Sequence, residues 1–245
     1  MPKKRLALIN CEAPTQEPMP FRGKLVPAAV AIHTKFTELG LETVMHKPVS
    51  NPRDLPDLDR FHGLAMGGSS LNISDEDLKK HEWMRRLLDL LRSVKIPAFG
   101  ICFGHQAIGR MLGAPLYRYN GFYEVGFSKV RLTQNAANDP LFQGLPYRFH
   151  ALFSHFSYLK DVPGAVPLAY SSDPANPSLQ AFRYKDNVWG VQYHPEFSVE
   201  GILAMVRSRQ EKIRHIVDVD LVVQDLEQGK PRFDDQLFSR FASLL

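Results

Sequence analysis

The sequence predicts a three-layer α/β protein: a mostly parallel central sheet with helices on both faces, plus a smaller β-rich portion. Three observations carry this reading. Through the first two-thirds of the chain, short apolar runs alternate with amphipathic stretches, the pattern of strands joined by crossover helices. After about Leu116 that alternation gives way to β-rich segments. The composition of the 245 residues, 44% hydrophobic and 23% charged, is that of a chain able to bury a core and is far from the apolar-poor signature of disorder.

Taken in order, Arg5 to Asn10 is the first strand. Its apolar stretch, Leu6 to Ile9, is too short for the core of a signal peptide despite the basic Lys3-Lys4-Arg5 before it. The periodic segment from about Val26 to Leu39 reads as a helix closed by Gly40, Glu42 to His46 as a second strand, and Pro48 to Leu58 as a Pro- and Asp-rich loop. Gly63 to Met66 is a strand running into Gly67-Gly68. Ser74 followed by Asp75, Glu76 and Asp77 starts a helix through about Leu91, with Trp83, Leu87, Leu88 and Leu91 at helical spacing. Ile96 to Ile101 returns to a strand.

Beyond Leu116 the β-rich segments are Gly121 to Leu132, Ala165 to Ser171, and a pair, Leu179 to Tyr184 and Val188 to Tyr193, joined by the turn signal Asp186-Asn187. From Val199 the chain is mostly helical, and its cluster of Arg207, Arg209, Lys212 and Arg214 reads as a solvated helix face. No repeat, low-complexity tract or long linker divides the chain. The expectation is therefore one domain, 1–245, with a helical C-terminal extension from about 199.

Composition also excludes function classes. The formal charge is +4 with both signs interspersed, which does not describe a dedicated nucleic-acid binder. No run of about 18 apolar residues is present, so no spanning helix is expected. Two cysteines, Cys11 and Cys102, leave at most one disulfide and suit a reducing, cytoplasmic setting. The nine histidines form no H-E-x-x-H motif and have no paired cysteine ligands, so no metal site is expected. Neither a phosphate loop nor a dinucleotide fingerprint appears, and no cofactor is expected.

The most informative segment is Gly100-Ile101-Cys102-Phe103-Gly104-His105-Gln106, where a strand enters a sharp turn and a helix follows. This is a nucleophile elbow with cysteine in place of serine. Glycines two before and two after permit the close backbone approach of such a turn. In a chain of this composition either cysteine would be so flanked by chance with a probability of about 0.009. The following helix, with Ile108, Met111 and Leu112 on one face and Gly113 as its stop, aims its positive end at the sulfur and favours the thiolate.

A partner lies far along the chain in Gly190-Val191-Gln192-Tyr193-His194-Pro195-Glu196-Phe197. Two residues apart in extended backbone, His194 and Glu196 point to one face. Pro195 fixes its own φ and biases His194 toward an extended conformation. Glu196 can then orient one imidazole nitrogen while the other meets Cys102, a Cys-His-Glu version of triad logic. The amide of Phe103 and one from Gly67-Gly68 are the candidate oxyanion donors. Cys11 has no glycine elbow and reads as a buried small hydrophobe; His105 reads as a packed elbow residue.

On these segments the chain resembles the class I glutamine amidotransferases of the triad type, over roughly Arg5 to Glu200. The resemblance implies a flavodoxin-like three-layer fold and release of ammonia from glutamine. By it, Cys102 is the nucleophile, His194 the general acid and base, and Glu196 its orienter. Gly68 and Phe103 supply oxyanion amides, and Gln106 helps hold the glutamine. Ser154-His155-Phe156-Ser157 falls where the family carries a Ser-His-Gly-Asp-like segment, whose backbone meets the substrate's α-amino and α-carboxylate groups. Phe156 and Ser157 depart from that pattern, as does Ser69-Ser70 in place of a proline after Gly67-Gly68.

Three functions stay open at this point. One is a glutaminase or amidotransferase subunit feeding ammonia to a separate synthetase subunit. Another is a γ-glutamyl peptidase-type hydrolase that works on γ-glutamyl compounds without a partner. The third is a catalytically silent regulatory or binding module on the same fold.

Overall fold

The structure is a computed structural model and describes residues 2–172 and 177–245. Its elements run β1 (Arg5–Ile9), β2 (Met19–Phe21), β3 (Lys24–Val26), α1 (Ala28–Glu38), β4 (Glu42–His46), β5 (Gly63–Met66), α2 (Asp75–Lys80), α3 (Glu82–Arg92), β6 (Ala98–Ile101) and α4 (Phe103–Met111). There follow β7 (Tyr117–Arg118), β8 (Glu124–Leu132), β9 (Arg148–His155), β10 (Ser157–Tyr158), β11 (Ala165–Ser171), β12 (Leu179–Tyr184), β13 (Val188–Val191), α5 (Val199–Ile213), α6 (Val219–Gln228) and α7 (Gln236–Ser243).

Among the described residues, nine strands form one sheet in the order β4-β1-β5-β6-β13-β12-β11-β8-β9. The β4-β1-β5-β6-β13 part is parallel throughout. From β13 to β9 every pairing is antiparallel. The β-rich portion expected from the sequence thus continues the central sheet.

Alternation within β1 divides the core. Leu6 and Leu8 face α1 and α7, packing with Ile32, Phe36, Leu237, Phe238 and Phe241; Ala7 and Ile9 face α3 and α4, packing with Trp83, Leu87, Phe103 and Ile108. Side chains of successive strand residues point to opposite faces, so a sheet covered on both needs apolar residues at every position. A third apolar cluster joins α5 and α6 to Tyr123, Val125 and Leu152. Among the described residues no helix is long and apolar enough to cross a membrane.

The short pairs β2–β3 and β7–β10 have no counterpart in the sequence-based expectation, and two larger features also differ from it. The single helix expected from Ser74 to Leu91 is broken at His81, whose backbone is extended (φ −113°, ψ 107°). A Ser74–Asp77 capping box starts α2, which buries no residue, whereas α3 buries Trp83, Met84, Leu87, Leu88 and Leu91; the bend turns that apolar face onto the sheet independently of α2. Strand β9 has no counterpart among the expected elements. Phe149, Ala151 and Phe153 face one cluster and Leu152 the other, so the two-residue alternation that marks a half-buried strand is blurred.

Candidate active site

Strands β5, β6 and β13 are adjacent and parallel, so their C-terminal ends meet along one edge, the usual location of sites in such sheets. Gly67-Gly68 follows β5, Cys102 follows β6, and His194 lies three residues past β13. Chain order separates these residues, and strand order brings them together.

The elbow is strained as its glycines require. Cys102 has φ 52° and ψ −100°, a region unfavourable to a residue with a Cβ. Gly100 lies opposite Met66 on one side and Gly190 on the other. A Cβ at Gly100 would lie 2.5 Å from the carbonyl carbon of Gly104, and one at Gly104 would lie 2.8 Å from Cβ of Met66. The turn is pinned by the Cys102 amide donating to Val191 O at 2.8 Å and by Gln106 N donating to Cys102 O at 3.0 Å. Phe103 begins α4, and the first amides of a helix have no intrahelical acceptor.

His194 is held from both directions along the chain. Its amide donates to Leu152 O at 2.8 Å, and its Nδ1 lies 2.7 Å from Glu196 Oε1. Phe197 stacks on the ring at 4.1 Å with the planes 2° apart. With Nδ1 engaged, Nε2 is the ring nitrogen left for the sulfur. Burial opposes a charge on this ring, but Glu196 and Cys102 outweigh it and push the His194 pKa up to about 10. Gly68 makes the room: a Cβ there would lie 2.9 Å from His194 Cε1 and 3.6 Å from Cys102 Cβ.

Gly68, Cys102, His194 and Phe197 line a cavity of about 140 Å³, together with Glu12, Gln16, Glu17, Asn72, Gln106, Tyr123, Ser154, His155, Phe156 and Arg209. Gln106 and His155, expected to meet substrate, both bind the carbonyl of Ser157, at 2.8 Å through Gln106 Nε2 and 3.0 Å through His155 Nδ1. The other ring nitrogen of His155 lies 3.0 Å from Glu124 Oε2. Phe156 stacks on Tyr123 at 4.2 Å, and its carbonyl accepts from Tyr119 N at 2.9 Å. Gly67 donates its amide to Ile9 O at 3.3 Å and so stands behind Gly68.

Sequence reasoning missed Glu12, Tyr123 and Arg209 as cavity residues. Glu12 follows the C-terminal end of β1, which was a usable signal because that edge carries the other groups. Its carboxylate accepts from the amides of Ala28 (2.8 Å) and Ala29 (3.2 Å) at the start of α1. Arg209 corrects the reading of its cluster as wholly solvated: its side chain is 24% exposed, against 56% for Arg207, 76% for Lys212 and 67% for Arg214. No local pattern distinguishes it from its neighbours. Cys11 is fully buried, with its thiol pKa raised by burial and by Glu12. His105 is also fully buried.

A family model described as glutamine amidotransferase class-I matches residues 31–202. A glutamine-hydrolyzing GMP synthase subunit from Archaeoglobus fulgidus is 29% identical over 168 residues, covering 67% of this chain and 81% of that protein. Gamma-glutamyl peptidase 5 of Arabidopsis thaliana is 26% identical over 177 residues, covering 70% of this chain and 65% of that protein. Among solved structures, a glutamine amidotransferase from Thermotoga maritima superposes with a TM-score of 0.72 over 100% of this chain and 97% of its own, a likeness of fold at 18% identity.

Proposed function

Since the chain belongs to the class I glutamine amidotransferase family, we propose that it is a cysteine amidohydrolase that cleaves the γ-carboxamide of glutamine through a γ-glutamyl thioester. The observation that carries this reading is the meeting of Cys102 and His194 across Gly68, with Glu196 behind the imidazole at 2.7 Å.

In this reading Cys102 Sγ attacks the amide carbon, and the oxyanion is held by the amides of Gly68 and Phe103. The imidazolium of His194 gives its proton to the departing nitrogen, and ammonia leaves as the thioester forms. Neutral His194 then takes a proton from water, the hydroxide attacks the thioester carbon, and glutamate departs as the thiolate returns. Glu196 keeps the ring oriented throughout. Gln106 and His155 shape the cavity by fixing Ser157.

The relatives named as subunits of GMP synthase support a second component of the proposal, a separate synthetase subunit that consumes the ammonia. The likeness to a gamma-glutamyl peptidase favours a second reading, in which the same attack expels the amine of a γ-glutamyl compound and no partner is required. Both readings treat 1–245 as one domain and place it in the cytoplasm, consistent with two free thiols. A silent module is disfavoured by the presence of all three reacting groups.

Glutamate release from L-glutamine and from a γ-glutamyl dipeptide, with Cys102→Ala as the blank, tests the proposal. Turnover that falls by at least about 10³-fold in the variant is expected. Dipeptide cleavage would select the peptidase reading. No release from either substrate, together with a Cys102 that resists a γ-glutamyl electrophile, would leave the silent module as the reading.

A further inference from the structure

The matched family span stops at residue 202, inside α5, and the cavity wall continues past it. Ser198 caps α5 by accepting from Gly201 N at 3.0 Å, and Ile202, Val206 and Ile213 form its buried stripe. Met205 and Arg209, four residues apart and hence neighbours on one helical face, project into the cavity that holds Cys102.

The guanidinium of Arg209 meets two side chains, Glu17 and Tyr123, with five N–H donors to give. Its Nε lies 3.4 Å from Glu17 Oε2, a long contact, and Glu17 is shared with Ser208 at 3.3 Å and Lys212 at 3.8 Å. Beside it stands the hydroxyl of Tyr123, bonded to Ser154 Oγ at 2.6 Å. The cavity therefore presents the sulfur and imidazole and, on α5, a part-buried arginine beside the hydroxyl of Tyr123. In the segment expected to meet the substrate's α-groups, Ser157 O accepts from Gln106 Nε2 and lies 3.0 Å from His155 Nδ1, and Phe156 O accepts from Tyr119 N. A carbonyl only accepts, so these groups can hold an α-ammonium but not an α-carboxylate, which needs a donor.

We propose that Arg209 is a specificity-determining residue that takes the α-carboxylate of the substrate, so that the site accepts free glutamine or γ-glutamyl compounds with an open α-carboxylate and refuses a glutamine whose α-carboxylate is blocked in a peptide bond. This rests on the amidohydrolase reading for its substrate class. A planar guanidinium binds a carboxylate through two parallel hydrogen bonds, and the pair gains strength where water is partly excluded. With the γ-amide at Cys102, the α-carboxylate is the only anionic group that glutamine can offer to a cation elsewhere in the cavity.

The test uses binding as well as turnover, on the full chain. Calorimetry with Cys102→Ala should show L-glutamine bound, at least about 30-fold weaker binding in Cys102→Ala/Arg209→Gln, and an intermediate affinity in Cys102→Ala/Arg209→Lys. Glutamine α-amide should bind Cys102→Ala and Cys102→Ala/Arg209→Gln equally weakly, because the group that Arg209 reads is missing. With Cys102 intact, Arg209→Gln should raise KM for L-glutamine by a similar factor with kcat within a few-fold. Equal L-glutamine affinity with and without Arg209, a further loss for the α-amide when Arg209 is removed, or no L-glutamine binding to Cys102→Ala would each overturn the assignment. Binding that follows this pattern without glutamate release by the wild type would instead sink the amidohydrolase reading and leave Arg209 as a ligand anchor.

Discussion

Arg232 donates to the main-chain carbonyl of His194 at 3.3 Å through Nη2 and to that of Phe197 at 2.5 Å through Nη1. The same guanidinium forks onto Asp234 at 3.0 and 2.9 Å. Asp234 is fully buried; burial pushes its carboxyl pKa up, opposed by the charge and hydrogen bonds of Arg232. A segment beyond α6 and outside the matched family span thus clamps the turn that carries His194 and Glu196.

Arg232→Ala should cost roughly 3–5 kcal/mol, because removing one partner of a buried pair leaves the other uncompensated, and urea unfolding measures it. Arg232→Lys keeps the charge without the fork. It should recover part of the stability and less of the turnover, since the carbonyl of His194 loses its fixed donor. A variant within about 1 kcal/mol of wild type would show that the clamp contributes little.

Two glycines should fail in different ways. Gly100→Ala drives a Cβ into the backbone of Gly104 at 2.5 Å, where nothing flexible can yield, so a loss of at least about 2 kcal/mol in thermal or urea unfolding is expected. Gly68→Ala meets the edge of the His194 ring at 2.9 Å, and the ring can tilt. Its fold should persist while turnover falls about 10²-fold, the scale of an ångström of misplacement. Equal damage to stability by both would contradict the distinction.

The pH profile should be flat well into the alkaline range. With the His194 pKa pushed up to about 10 by Glu196 and Cys102 against the effect of burial, the imidazolium needed by the leaving nitrogen persists above neutral pH. kcat/KM for glutamine should hold to about pH 9 and fall as pH approaches 10. An alkaline limb near pH 7 would show that the ring does not keep its proton.

His105 should govern part of the acid stability. Burial pushes its pKa down to about 3, against hydrogen bonds to the backbone of Gly190 and Leu179, whereas the unfolded ring titrates near 6.5. Its contribution is fully present above about pH 6.5. As pH falls toward 3, the unfolded chain binds a proton that the folded chain refuses, and stability drops by up to about 1.4 kcal/mol per pH unit. Urea midpoints of His105→Gln between pH 6.5 and 4 should decline less steeply than those of wild type; parallel slopes would refute the assignment.

Which parts of this were legible in the amino-acid order follows from the range of the forces involved. The strand-helix alternation and the glycine-flanked elbow at Cys102 are set by sterics and dihedral preferences within a few residues, so composition and spacing revealed them. The contact of Glu196 with His194 was expected from extended backbone, but Pro195 and Glu196 form a turn in which Phe197 N donates to His194 O at 3.3 Å, and that turn carries the carboxylate to Nδ1. Strand β9 and the bend at His81 were hidden because each depends on what covers it: Leu152 is apolar on a face that α5 and α6 close, and α3 turns at His81 to reach its own patch of sheet.

The same distinction runs through the site. That position 68 is glycine was plain, but that His194 requires it emerges from the β5-β6-β13 order, which places the three strand ends side by side. Arg209 and Arg232 look like surface charges in a tail of mixed charge, and nothing near them in sequence says otherwise. Packing of α5 and of the segment after α6 against the sheet edge turns one into the cavity and the other onto the His194 turn. Burial between residues far apart along the chain is a property of the assembled core, and no local pattern encodes it.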